Sequence, residues 1–362
     1  MEGIKRGYVL WGGFGGHNLG DEAILWAMSR LIKKLDPNAQ MYVLIYGDLA
    51  PAVEAEYRAL GLTPVLLFSL GTFRVLREAR MIAAGGQLLH DKTVAWPVCW
   101  TSLLLVLNRM LGHRPLILCI GAEPMRHAAM KMLARYCYSL AAFCTCRDPE
   151  SAEVARSIGI PENKILLTKD SVFSLEESLF PKWSSSAGNV PRITLVVAYD
   201  ASRSHGDVES VSCLVRDLLR AGCELSLISH DLRIKYDLGL LIQVGELFRA
   251  DPRVKICRPQ TVANVLDVYA SSDAVVSPRM HPLILSSLAG TLAIADSNDA
   301  KVRSLVTGLG LPALCPSDTP GQKAENILNF LTSRHTYLRT VASRIPEFRA
   351  SVECVTAEAL KG

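Results

Sequence analysis

SSDAVVSPRMHPLILSSLAGT, residues 271–291, decides the fold class of this chain. An apolar run at 274–276 ends in Ser277 and Pro278, and Arg279 and His281 come just before an apolar-periodic segment at 282–288. That order predicts a buried parallel strand, a turn and the start of a helix. In open α/β sheets ligands bind beyond the carboxyl ends of the strands, so the cation and the imidazole stand where a ligand is expected. Pro282 suits a first helical turn, whose N–H groups and positive dipole end favour anions. Arg279 and His281 are therefore candidate site residues; the blander alternative is that both only decorate a helix start.

The same alternation extends outward on both sides. Downstream of a Ser- and Pro-rich stretch at 174–192, strands are expected at 193–198, 224–228, 254–257 and 292–295, with helices between them. Upstream, a strand at 8–11 breaks into GGFGGHNLGDE, and 21–35 carries Ile24, Leu25, Met28, Leu31, Ile32 and Leu35 on one helical face. Further strands are expected at 41–45, 64–68, 81–84, 116–120 and 142–146, and helices from about residue 52 and at 95–111 and 128–140. Residues from 322 onward look helical, with Pro346 expected to interrupt them. The pattern predicts an α/β chain of two doubly wound, Rossmann-like domains, 1–175 and 190–335, facing each other across a central cleft. A C-terminal helical segment, 336–362, follows, and 174–192 reads as the hinge.

Composition narrows the function classes. Of 362 residues, 49% are hydrophobic and 20% charged, which suits buried sheets and excludes disorder as a class. The net charge of +4 is spread out, with no Lys/Arg tract, so nucleic acid is not an expected partner, while anionic substrates or an anionic membrane surface are compatible. Ten cysteines lie without C-x-x-C pairs, which argues against a metal centre and for reduced thiols in the cytoplasm. No stretch reaches the ~20 apolar residues of a membrane span. The apolar run 96–107 fits either a core helix or a surface that docks on a membrane.

Several strand ends release residues suited to chemistry. The first, Gly13-Phe14-Gly15-Gly16-His17-Asn18, begins like a dinucleotide fingerprint but has Asn18 where the third glycine belongs. Asp21 and Glu22 then open the helix where a pyrophosphate would sit, and two carboxylates would repel it. Gly85-Gly86-Gln87 leads to His90-Asp91, and Gly121-Ala122-Glu123 and Arg147-Asp148 follow later strands. A glycine after a strand ordinarily just makes the turn; the accumulation on one sheet edge is the stronger signal. Asp148 or Ser151 could cap the next helix, and Arg147 could hold a carboxylate or phosphate as a two-pronged donor.

GGHNLGDEAIL, GGQLLHD, IGAEP, RDPES, SPRMH and DSNDAKVRSLVTGLGLP, spread over about residues 12–312, together resemble the polysaccharide pyruvyl transferase family. The resemblance implies a GT-B-like fold, a donor side in the C-terminal domain and an acceptor side in the N-terminal one. It implies phosphoenolpyruvate as donor substrate, no cofactor and no metal. The product would be a pyruvate ketal on a sugar of a cell-surface polysaccharide or its lipid-linked precursor, made in the cytoplasm or at the inner face of the membrane. It places donor binding on Arg279, general acid work on His281 and a catalytic arginine at Arg147. Gly15, Asn18, Asp21, Gly86, His90, Asp91 and Lys301 become substrate-binding candidates. The chain has His90 where many relatives carry Gln, and Asn298 before Asp299 and Lys301 where many carry an aromatic residue. Those departures bear on the acceptor rather than the reaction.

The residue types suit that chemistry. Two arginines could hold the carboxylate and the phosphate of the donor. Ketal formation needs a proton on the methylene carbon, which a histidine can supply near neutrality. Two other readings compete: a GT-B glycosyltransferase using a nucleotide sugar, and a catalytically silent protein that binds an anionic metabolite.

Overall fold

The computed structural model describes residues 7–91, 96–181, 190–199 and 206–361. Their contacts divide the chain into two compact units. The first takes in Met1–Gly16, Asp21–Leu175 and Glu347–Gly362; the second takes in His17–Gly20 and Glu176–Pro346. Of the expected hinge, residues 182–189 lie outside the described residues.

The first unit runs β1 (Gly7–Trp11), α1 (Leu19–Leu35), β2 (Gln40–Ile45), α2 (Pro51–Ala59), β3 (Leu62–Leu66), α3 (Leu70–Glu78), β4 (Arg80–Ala84) and β5 (Gln87–Leu89). It continues with α4 (Trp96–Met110), β6 (Leu116–Ala122), α5 (Ala128–Tyr138), β7 (Cys144–Cys146), α6 (Pro149–Ser157) and β8 (Ile165–Leu167). Every strand pairing is parallel, in the order β3-β2-β1-β4-β6-β7-β8, with β5 joining β6. Helices cover both faces of such a sheet, so its strands read as continuous apolar runs; the side chains of β6 from Leu116 to Ile120 are buried without interruption. Strand order reverses between β1 and β4, which places the sheet's switch point at the turns after Trp11 and Ala84. Gly85 and Gly86 turn with φ of 57° and 65°, and a Cβ on Gly85 would lie 2.4 Å from Ile24 of α1. Only glycine serves there.

The second unit runs β9 (Arg192–Val196), α7 (Gly206–Arg220), β10 (Glu224–Ile228), α8 (Asp237–Leu247), β11 (Val254–Cys257), α9 (Val262–Ala270) and β12 (Ala274–Ser277). Then come α10 (Met280–Leu288), β13 (Leu292–Ala295), α11 (Ala300–Leu309), α12 (Pro320–Thr332) and α13 (Arg334–Lys361). Its parallel strands lie in the order β11-β10-β9-β12-β13, so its switch point falls between β9 and β12. Ser277, the last residue of β12, therefore delivers Arg279 and His281 to that position.

Two expectations need correction. The helix at the C-terminus is not interrupted at Pro346; α13 runs through it. A proline removes its own backbone donor, but here Val341, Ile345, Phe348 and Val352 form one buried stripe that spans it. Beyond the proline the helix packs in the first unit, where Phe348 meets Phe173 edge to face at 5.0 Å and Arg349 donates to the carbonyl of Leu175 at 2.9 Å. Second, the short elements α3, β5 and β8 were not anticipated; α3 and β5 lie beside glycines that read as turn, and β8 has only three residues. None of the ten cysteines forms a disulfide. Among the described residues no helix is long and apolar enough to cross a membrane.

Candidate active site

At the edge of the second sheet, β12 ends in a tight turn. Ser277 Oγ accepts from the backbone N–H of Arg279 at 2.9 Å and donates to its carbonyl at 3.0 Å, leaving Arg279 extended as the cap of α10. The side chain of Arg279 is 37% exposed, and one of its nitrogens donates to Oδ1 of Asp237, a fully buried carboxylate, at 2.5 Å. Asp237 opens α8 and also accepts from the backbone of Tyr199 at 2.8 Å. Burial raises the Asp237 carboxyl above its ordinary value, and Arg279 opposes that shift. The arginine is thus held by a buried carboxylate while its side chain stays partly exposed.

His281 follows in the first turn of α10. Gly20 lies against it so closely that a Cβ there would be 2.4 Å from Nδ1 of the ring. Gly20 is held in turn: its N–H donates to Asn18 Oδ1 at 2.9 Å, and the backbone of Asn18 bridges to Asp231. Leu19 donates to the carbonyl of His230, and Leu232 to that of His17, each at 2.9 Å. The glycine-loop end HNLG is thereby laced to the segment after β10.

Behind these residues, His230 is buried and its Nε2 lies 2.6 Å from the hydroxyl of Tyr269. Burial first, then the electrostatic influence of His281 and Arg279, pushes the His230 imidazole down to about 3, so it is neutral near pH 7. Asp231 is gripped by Arg233 through two side-chain hydrogen bonds, of 2.8 and 2.5 Å. His230, Asp231 and Asp237 were not singled out from the sequence, although SHDLRIKYD follows an expected strand end and so belongs to the same sheet edge. On the neighbouring strand, Asp296 after β13 donates its N–H to Ser277 at 2.9 Å and pairs with Lys323 at 2.6 Å. Lys301, in the first turn of α11, lies 3.7 Å from Asp299 and is partly exposed.

The first unit's switch point is built differently. Glu22, buried, accepts from the N–H groups of Gly15 and Gly16 at 2.9 and 2.8 Å and from the Tyr57 hydroxyl at 2.9 Å. Burial raises its carboxyl above the usual value, against the pull of these donors. The glycine loop that resembles a phosphate cradle is thus filled by the protein's own carboxylate, and the Gly15 donor expected to meet substrate is taken. Asp21 remains half-buried at that turn, where a Cβ on Gly13 would lie 2.7 Å, and one on Gly86 3.4 Å, from its carboxylate oxygens.

Two expected site residues turn inward. Arg147 has 4% of its side chain exposed; it pairs with Asp170 at 3.1 Å and Asp148 at 3.5 Å and lies against Gly121, where a Cβ would be 2.6 Å from it. Its fork braces the first unit's interior, where Asp170 and Asp148 take the place of the donor anion expected for it. Asp91 accepts from the N–H groups of Arg126 and His127 at 2.7 Å each and from the His127 ring at 2.9 Å. Burial pushes its carboxyl up, but those donors outweigh it and bring it to about 2. Asp91 is an anchor for the chain entering α5, and His90 beside it is half-buried.

A model of the family described as polysaccharide pyruvyl transferase matches residues 18–299. No curated protein matches the chain. Among solved structures, HepE from Anabaena in complex with UDP and glucose is similar at 12% identity and a TM-score of 0.63, over 99% of this chain and 100% of that one. A glycosyltransferase from Rickettsia africae is similar at 12% identity and a TM-score of 0.65, over 99% and 98%. UDP-GlcNAc 2-epimerase from Neisseria meningitidis bound to UDP-GlcNAc is similar at 14% identity and a TM-score of 0.62, over 99% and 100%. At such identities the likeness is one of fold, and it agrees with the GT-B-like expectation.

Proposed function

Because the chain belongs to the polysaccharide pyruvyl transferase family, we propose that it moves the pyruvate unit of phosphoenolpyruvate onto two hydroxyls of a saccharide acceptor, forming a ketal and releasing phosphate. The observation that carries this reading is the pairing of a half-exposed, carboxylate-braced Arg279 with His281 in one turn at a switch point. Arg279 holds an anionic group of the donor, helped by the first N–H groups of α10. His281 gives its proton to the methylene carbon, which becomes the methyl group, and C2 turns electrophilic. One sugar hydroxyl adds to C2; phosphate then leaves with its bridging oxygen, the second hydroxyl closes the ring, and the two hydroxyl protons pass to His281 and to the departing phosphate. Neither a metal nor a nucleotide enters this scheme. The Asp21 turn of the first unit, carrying a carboxylate, suits an uncharged polyhydroxy ligand better than a phosphate.

The nucleotide-sugar reading draws support from the neighbours solved with UDP or UDP-sugars, and the same assay separates the two. The protein is incubated with phosphoenolpyruvate and a panel of synthetic and lipid-linked sugars, and separately with UDP- and GDP-sugars. Acceptor-dependent phosphate release with a ketal adduct by mass spectrometry is the expected result. Release of nucleoside diphosphate would replace the proposal with glycosyl transfer; binding of phosphoenolpyruvate without turnover on any acceptor would replace it with a silent binder.

A further inference from the structure

Along α4, Trp96, Leu103 and Met110 recur at helical spacing and form one exposed stripe, ~21 Å long at 1.5 Å per residue, with the half-buried Trp100 and Leu107 between them also packing on the core. Trp96 is 50% exposed, Leu103 44% and Met110 78%, while Val98 and Leu105 on the opposite side are buried. The stripe continues onto the β3–α3 connection through aromatic contacts: Phe68 meets Trp100 and Trp100 meets Trp96, both at 4.9 Å. Leu70 and Phe73, at the start of α3 that follows, are 92% and 53% exposed. A contiguous apolar surface of this kind marks an interaction site.

The charges on the same elements indicate the partner. α3, α4 and α5 carry Arg74, Arg77, Arg109, Lys131 and Arg135 against a single carboxylate, Glu78, which is itself paired with Arg74 at 3.2 Å. All five cations are exposed. Exposed tryptophan and phenylalanine on elements that also carry an excess of exposed cations match a bilayer interface, where rings sit at headgroup level and Lys and Arg meet anionic lipids. We infer that this face of the first unit docks on an anionic lipid bilayer, with the α4 stripe and the Phe68–Phe73 segment entering the headgroup layer. The inference stands on the surface alone and is independent of the reaction proposed above.

The test is flotation of the full chain with vesicles of phosphatidylcholine or of an equimolar mixture with phosphatidylglycerol, with no donor or acceptor present. The wild type is expected to float with the mixed vesicles and less with phosphatidylcholine, and to lose binding as salt rises. Leu70→Asp with Phe73→Asp, at exposed positions outside the core, should lower the bound fraction at least ~10-fold. Arg77→Glu with Lys131→Glu should weaken binding to the mixed vesicles by ~5-fold or more per residue and leave the phosphatidylcholine background unchanged. Absence of wild-type flotation with the mixed vesicles, or flotation untouched by either pair, overturns the inference. A wild-type dimer in sedimentation that Leu70→Asp with Phe73→Asp dissolves, without vesicle binding, would assign the face to self-association instead.

Discussion

The two switch-point turns of this protein, the glycine loop after β1 and the Ser277–His281 turn after β12, occupy equivalent places in parallel sheets and have opposite chemistry. In the first, the glycine N–H groups are consumed by Glu22, so a loop that reads like an anion cradle is closed from within. In the second, a serine shapes the turn and a buried aspartate holds the arginine, and the proposed function assigns this helix start to the donor. A glycine pattern therefore establishes a turn, whereas the acceptor that meets its donors determines whether the turn can bind an anion. Four residues of the glycine loop's end, His17–Gly20, belong to the second unit, where Gly20 gives the His281 ring its room.

Substitutions at the two turns should act differently, and the largest effect is expected at His281. Replacing it with Ala removes the proposed proton donor, and turnover should fall on the order of 10²–10⁴-fold while phosphoenolpyruvate still binds; single-turnover kinetics and calorimetry check the two halves. Near-normal turnover would leave the histidine as a mere helix-start residue. Gly20→Ala should displace the same ring without removing it. A loss on the order of 10²-fold in turnover with little change in melting temperature is expected, because an ångström of misplacement is enough.

At the first turn the effect should appear in stability instead. Glu22→Ala leaves two glycine N–H groups and a tyrosine hydroxyl without their buried acceptor, so denaturant unfolding should show a loss of roughly 3 kcal/mol. Glu22→Gln keeps Oε1 as an acceptor and should lose much less. A smaller and pH-dependent effect belongs to Asp91. Its carboxyl sits at about 2 in the folded protein, against ~3.9 for an unperturbed aspartate. Its contribution is therefore complete above the unfolded value and is lost as pH falls through the folded one. Wild-type stability should drop more steeply between about pH 4 and 2 than that of Asp91→Asn.

Much of this layout was legible in the sequence, because buried parallel strands write uninterrupted apolar runs and strand-helix turns announce themselves with glycine, proline and polar residues. The place of Arg279 and His281 followed from 274–282 alone. What was not legible depends on partners distant in the chain. Nothing near Arg147 signals that Asp170 will bury its guanidinium, and nothing near Arg279 signals Asp237. The carboxylates read as repelling a pyrophosphate keep that sense, but that Glu22 would itself take up the loop's N–H groups was not legible from its position. Asp91 looked like a ligand because it follows a strand end, yet its oxygens face the chain entering α5.

The most direct test is a calorimetric titration of phosphoenolpyruvate into wild type, Arg279→Ala and Glu22→Gln. Arg279→Ala is expected to lose ~1.5–3 kcal/mol of donor affinity, roughly a 10- to 150-fold weaker Kd, with folding intact, while Glu22→Gln binds as the wild type does. Unchanged affinity in Arg279→Ala, or a loss confined to Glu22→Gln, would contradict the assignment of the donor to the second sheet's edge.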